Sequence, residues 1–241
     1  MTGAALAWEQ YRFERRMFWR NPSAAFFTFA LPLVFFLLIA TVFSSDSDEL
    51  EVLVPGIAGM GVAGATFTAL AYYLVQLRET GVLKRVQGSP MPPAAYLGGL
   101  LGSAVANAFA TVAVIVALGR FGYGVDARLD VLELLVFTTL GVIAFGALGI
   151  AFAFVIPNAD AAPAYVNAVF LPLIFISGVF YSADDLPPVL DAIARALPLK
   201  HLIDGYSAAL VTGGWPVGAL ALLGVWCVAG VVAALRLFRW E

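Results

Sequence analysis

The chain has 241 residues, 62% of them hydrophobic and 12% charged, with a formal net charge of -3. Soluble domains carry about 25% charged residues, so this composition cannot cover a water-facing surface and reads as a membrane protein. The acidic balance excludes a nucleic-acid partner, which calls for a basic patch, and the single Cys227 excludes an internal disulfide and a cysteine-based metal site.

Residues 1–22 set Arg12, Arg15, Arg16 and Arg20 among Trp8, Tyr11, Phe13, Phe18 and Trp19. At helical spacing Trp8, Tyr11, Phe18 and Trp19 share one face with Arg15, while Phe13 and Met17 lie on the other. Aromatic and cationic residues beside a span suit a helix lying in the headgroup layer; the alternative is a basic tail that only sets topology. The next apolar run, Ala24–Phe43, exceeds the ~7–15 residues of a signal-peptide core and has the ~20 residues of a first span.

An acidic loop follows, with Asp46, Asp48, Glu49 and Glu51. The second span, Pro55–Leu77, is crowded with small residues (Gly56, Gly59, Gly61, Gly64), which let another helix approach closely. Its aliphatic hydroxyls are Thr66 and Thr68. Then comes the longest soluble interruption on the side read as cytoplasmic, Gln76–Ala95, with Arg78, Glu79, Lys84 and Arg85 before a break at Gly88–Pro93. A short charged helix between two spans is placed to be pushed from outside the membrane. On its own the cluster could also serve only to set topology.

The third span, Tyr96–Leu118, carries Gly98, Gly102, Ala106 and Ala110 as a four-residue-spaced packing stripe. After Arg120, Asp126, Arg128 and Asp130 comes the fourth span, Leu132–Ile156, and a turn at Pro157–Asp160. The fifth, Pro163–Tyr181, contains Asn167, Pro172 and Gly178, so neighbouring protein must satisfy its backbone. In Ser182–Gly214, Asp184 or Asp185 can cap a short helix. That helix has Leu190, Ile193, Ala194 and Leu197 on one side and Pro198 stopping it, and a second apolar helix covers Leu202–Val211. Neither half can cross, so the stretch reads as a re-entrant hairpin dipping into the outer leaflet. The sixth span is Pro216–Leu235, anchored by Arg236, Phe238, Arg239 and Trp240. With both termini cytoplasmic, nine of the 13 Lys and Arg residues lie inside and four (Arg120, Arg128, Arg195, Lys200) outside, as the positive-inside rule requires.

No span holds a charge in its centre, where one costs at least ~2.5–3.5 kcal/mol, which argues against a voltage-gated channel and an ion-coupled carrier. Pro172 keeps the carrier open as an alternative, because broken helices mark that class. No phosphate-binding loop is present, so the chain itself is not expected to hydrolyse ATP, and no catalytic constellation is recognisable. His201 reads as a local hydrogen-bonding group.

Three blocks carry a resemblance to a known family: Arg20-Asn21-Pro22 with its following span; Arg78-Glu79-Thr80-Gly81-Val82-Leu83-Lys84-Arg85 with Ser89-Pro90 through Gly98; and Leu171-Pro172 through Phe180 with Leu186-Pro187 and Leu197-Pro198-Leu199. The chain resembles the membrane subunit of the type-2 ABC exporter family, departing from its pattern at Val82 and Leu197. The resemblance implies an all-α membrane protein of six transmembrane helices in the bacterial inner membrane. It implies pairing with a second copy or a related permease, and a separate nucleotide-binding subunit that holds the ATP and magnesium, this chain binding no cofactor. Arg78, Glu79, Gly81, Leu83, Lys84, Arg85 and Val86 would form the cytoplasmic coupling helix between spans two and three, with Leu83 and Val86 as its apolar grip. The N-terminal interfacial helix would contribute Trp8, Tyr11, Arg12, Arg15, Arg16 and Trp19. The path would be lined by Thr66, Thr68, Asn167, Phe170 and Phe175, for export of a hydrophobic or amphipathic molecule or lipid. A polysaccharide or lipid-linked glycan exporter is the alternative within the family.

Overall fold

The computed structural model describes residues 3–42, 47–124, 128–181 and 187–238. The expectations resting on Phe43, Asp46, Asp126, Ser182, Asp184, Asp185, Leu186, Arg239 and Trp240 lie outside them. Every regular element among the described residues is helical, and in order they are α1 (Gly3–Arg20), α2 (Pro22–Val42), α3 (Ser47–Ala63), α4 (Ala69–Glu79), α5 (Val82–Gln87), α6 (Pro93–Ala117), α7 (Val131–Ala153), α8 (Ala162–Ile176), α9 (Pro188–Ala194), α10 (Pro198–Ser207) and α11 (Val217–Leu237). π-helical turns join α3 to α4 (Gly64–Thr68) and extend α6 (Leu118–Gly122) and α10 (Ala208–Thr212).

Among the described residues, five helical runs are long and apolar enough to cross a membrane: Ala25–Val42, Glu49–Glu79, Ala94–Gly122, Val131–Ala153 and Val217–Leu237. The fifth expected span differs. α8 ends at Ile176, where Ser177 and the left-handed Gly178 (φ 77°) turn the chain. Its 15 residues cover only ~22 Å at 1.5 Å each, short of a ~30 Å hydrocarbon core. Three other boundaries also differ. The second span starts at Ser47, so Glu49 and Glu51 belong to its first turns, where carboxylates suit the positive end of the helix, and Pro55 lies inside the helix. The fourth ends at Ala153, before Ile156. Pro198 opens α10 rather than closing α9, its missing N–H costing nothing at a helix start.

α7 is the central helix, packed by α3, α4, α6, α10 and α11. Its N-cap is Asp130, whose Oδ1 accepts from the Glu133 backbone N–H at 3.1 Å. Glycines set how closely its neighbours come. At Gly149 an added Cβ would stand 2.6 Å from the Phe67 carbonyl oxygen in the first π-turn. At Gly205 of α10 it would meet the Phe137 ring at 2.1 Å.

α9 and α10 form a hairpin whose tip reaches into the bundle. The Trp226 indole N–H, well inside α11, donates to the Ala196 carbonyl at the tip (3.0 Å), and Leu202 packs on Gly141 well inside α7. Tyr206 then meets Thr138, hydroxyl to hydroxyl at 2.8 Å, and the Asp130 N–H donates to the Ala209 carbonyl where α7 begins. The hairpin therefore descends along α9 and climbs back along α10.

Candidate functional site

α4 ends where Thr80 and Gly81 turn the chain. Gly81 adopts the left-handed conformation (φ 68°) that glycine takes without a Cβ clash, and its N–H closes on the Arg78 carbonyl at 3.1 Å. This redirects the chain into α5, the short helix expected between spans two and three. Leu83 is fully buried within the chain and Val86 half-buried, whereas Lys84 and Arg85 are exposed. The apolar grip expected of Leu83 toward an outside partner is therefore turned inward. An apolar side chain on a six-residue helix does more by anchoring it to the bundle than by standing in water.

Arg78 and Glu79 also turn toward their own chain. The Arg78 guanidinium donates to the carbonyls of Ala153 (3.1 Å), the last residue of α7 at the negative end of its dipole, and of Ile156 (2.6 Å) and Pro157 (3.2 Å) in the turn that follows. The same group lies 6.0 Å from the Phe154 ring centroid. The Glu79 carboxylate accepts from the Ala159 backbone N–H at 2.8 Å. Both residues thus hold the α4–α5 corner to the α7–α8 turn, 75 to 80 positions away in sequence.

α1 lies along the first half of α6, running in the same direction. Ala7 faces Gly98, Gln10 fits over Gly99, Tyr11 packs on Gly102, and the Arg15 guanidinium donates to the Asn107 side-chain oxygen. The glycine stripe read on span three is thus the seat of the N-terminal helix. Trp8 and Trp19 are exposed, as are Arg12 and Arg16. Arg15 is half-buried, 5.7 Å from the Phe18 ring centroid and 5.6 Å from that of Trp19.

The inner face of α1 carries two residues the sequence reading passed over. Gln10 and Glu14 are both buried, and the Gln10 amide donates to the Glu14 carboxylate at 2.6 Å. Tyr73 of α4 also hydrogen-bonds to Glu14, and Tyr96 of α6 stands within electrostatic reach. Burial raises the Glu14 carboxyl pKa above the ordinary value, opposed by its bonds from Tyr73 and Gln10. The spacing Ala7, Gln10, Glu14 (i, i+3, i+7) is the signal that marks this face. It becomes visible once the aromatic residues stop being the guide.

The five path residues are not gathered into one cavity. Thr66 is fully buried, its hydroxyl donating to the Val62 carbonyl at 2.6 Å. Thr68 is half-buried with a hydroxyl that has no hydrogen-bond partner. Phe170 reaches toward Gly64 in the same π-turn, its ring edge 3.8 Å from where a Cβ would stand. Asn167 and Phe175 lie on the exposed face of α8. His201 makes the local bond expected of it, its Nε2 lying 2.9 Å from the Arg195 carbonyl.

Comparison with known proteins gives a match to the family described as ABC-2 type transporter over residues 6–211. Nodulation protein J of Rhizobium leguminosarum bv. trifolii is 35% identical over 111 residues, covering 43% of this chain and 42% of that protein. Inner membrane transport permease YadH of Escherichia coli (strain K12) is 24% identical over 159 residues, covering 65% of this chain and 61% of that protein. The matched stretch is less than two thirds of the length of either relative.

Proposed function

Because this chain belongs to the ABC-2 type transporter family, we propose that it is the membrane-spanning subunit of an exporter in the bacterial inner membrane, driven by ATP that a separate subunit hydrolyses. On this reading ATP and magnesium belong to the partner, and two copies of the chain, or this chain and a related permease, form the transport body. The observation that carries it is α5: a charged helix presenting Lys84 and Arg85 to solvent while Leu83 anchors it to the bundle. An ATPase subunit that grips those two cations can move the bundle behind them.

α1 adds a second surface at the same end, with Arg12, Arg16, Trp8 and Trp19 available to headgroups or to the ATPase subunit. The cargo is a hydrophobic or amphipathic molecule. α8 supports this, because its exposed face offers Val169, Leu171 and Phe175 with Asn167 as a polar group. Paired against a second copy, that face would line the path together with Phe170 and the half-buried Thr68 of the π-turn, Thr66 being enclosed behind them.

The test is reconstitution with the candidate ATPase subunit in proteoliposomes. The native chain should co-purify with that subunit and move an amphipathic probe only when ATP is supplied. Lys84→Ala combined with Arg85→Ala should cut both binding and transport by about tenfold or more, two charge-assisted contacts being lost. Full transport by the double variant, or transport without nucleotide, would overturn the reading.

A further inference from the structure

The exposed cations of α5 account for docking, but a helix pushed at one end of a membrane bundle must be joined to something that moves. Leu83 holds α5 to the core as a whole. Among the described residues, only Arg78 and Glu79 carry directed bonds from this corner to a distant part of the chain, and all four end on one short stretch, Ala153 to Ala159. That stretch contains the end of α7 and the turn into α8. We infer that Arg78 and Glu79 form an internal joint that passes motion of the α4–α5 corner to the α7–α8 turn, acting as positioning residues and not as contacts for the ATPase subunit.

The chemistry is divided between the two side chains. Arg78 has a planar fork of donors, and its three carbonyl acceptors are one that the end of α7 leaves unpaired (Ala153) and two in the turn after it (Ile156 and Pro157), so the guanidinium ties both the helix end and the turn to α4. Glu79 contributes one acceptor to one backbone N–H, two residues past Pro157, where the turn heads toward α8. Moving the corner without moving the turn would break four hydrogen bonds, one to a carboxylate and three from a guanidinium. The two loops therefore shift as a unit, and the exposed face of α8 follows.

This inference rests on the exporter reading, and the experiment separates the two. Each variant is purified with the ATPase subunit and scored for co-purification, ATP hydrolysis and probe moved per ATP. Glu79→Gln keeps an acceptor of the same reach and loses the charge; Glu79→Asp keeps the charge and loses the reach. Arg78→Lys keeps the charge and loses the fork. The expected pattern is near-native transport per ATP for Glu79→Gln, and a fall of about fivefold for Glu79→Asp and Arg78→Lys, with co-purification unchanged in all three. If Glu79→Asp and Arg78→Lys keep native coupling while Glu79→Gln loses it, the charges face a partner and the joint is refuted. Native coupling in all three refutes it as well. Failure of the native chain to bind or use the ATPase subunit would instead strike the exporter reading.

Discussion

Glu14 is a carboxylate enclosed where three helices meet, held by Gln10 of its own helix and Tyr73 of α4 with Tyr96 of α6 nearby. Burial lifts its folded pKa above 4.5, so the folded chain binds this proton more tightly than the unfolded chain. By linkage, stability then falls as pH rises from the unfolded value to the folded one and is level beyond it. Glu14→Gln keeps groups for both hydrogen bonds and removes the titration. It should melt above the native chain in detergent, by a margin that is larger at about pH 7.5 than at about pH 4, below the unfolded value. Glu14→Ala, which strands the Tyr73 hydroxyl and the Gln10 amide, should lose about 1–3 kcal/mol. Equal melting of all three at both pH values would show that the site carries no such strain. The sequence does not give this role away, because Tyr73 and Tyr96 lie in other helices and spacing within one helix carries no register between helices. For the same reason Arg78 and Glu79 read as part of a partner-facing charged helix, and Leu83 as its outward apolar grip. Their helical spacing was visible, and the direction in which they turn was not.

At the level of helices, absence of charge made most of the spans legible. Ala24–Phe43, Tyr96–Leu118 and Pro216–Leu235 each fall within a few residues of α2, α6 and α11. Errors fell where two local signals compete. Pro55 looks like a helix start, yet the acids before it fit a first turn equally well, and the helix takes them in. Pro172 lies inside α8, and the helix instead ends at the Ser177-Gly178 pair. The three π-turns have no sequence signal of their own, since each inserts one extra residue per turn to suit a neighbour. Close packing gives the test at this scale. Gly56→Ala would set a Cβ 1.9 Å from the Val179 carbonyl oxygen, joining α3 to the chain that follows α8. Backbone cannot yield as a side-chain tip can, so a loss of about 3 kcal/mol or more is expected, with a matching drop in monodisperse protein recovered from detergent. Gly224→Ala, where nothing lies within 4 Å, is the control and should be neutral. A Gly56→Ala protein that melts like Gly224→Ala would mean that α3 and the Val179 segment do not pack as described.

For the molecule as a whole, the two ends of the bundle are distinct in chemistry. One gathers the start of α1, α5 and the α7–α8 turn, with Arg78, Lys84 and Arg85, and the arginines of α1 continue from it along α6, where Arg15 reaches Asn107. The other gathers the start of α3, the Trp215 loop and the open end of the α9–α10 hairpin, where Glu49, Glu51, Asp130 and Asp204 stand with fewer cations, Arg120, Arg128 and the Lys200 paired with Asp204. Cations are retained on the cytoplasmic side of short loops, so the first end should face the cytoplasm. Every part of the exporter reading depends on that orientation, because ATP is available to a partner only there. Impermeant maleimide labelling in right-side-out spheroplasts tests it directly. Cys227 is buried, its thiol donating to the Leu140 carbonyl at 3.2 Å, so the native chain gives a low background. Lys84→Cys should label only after the membrane is opened, and Trp215→Cys, exposed at the other end, should label in sealed spheroplasts. The reverse pattern would put α5 outside, beyond reach of any ATPase subunit. The charge asymmetry would then mark a surface for some other contact.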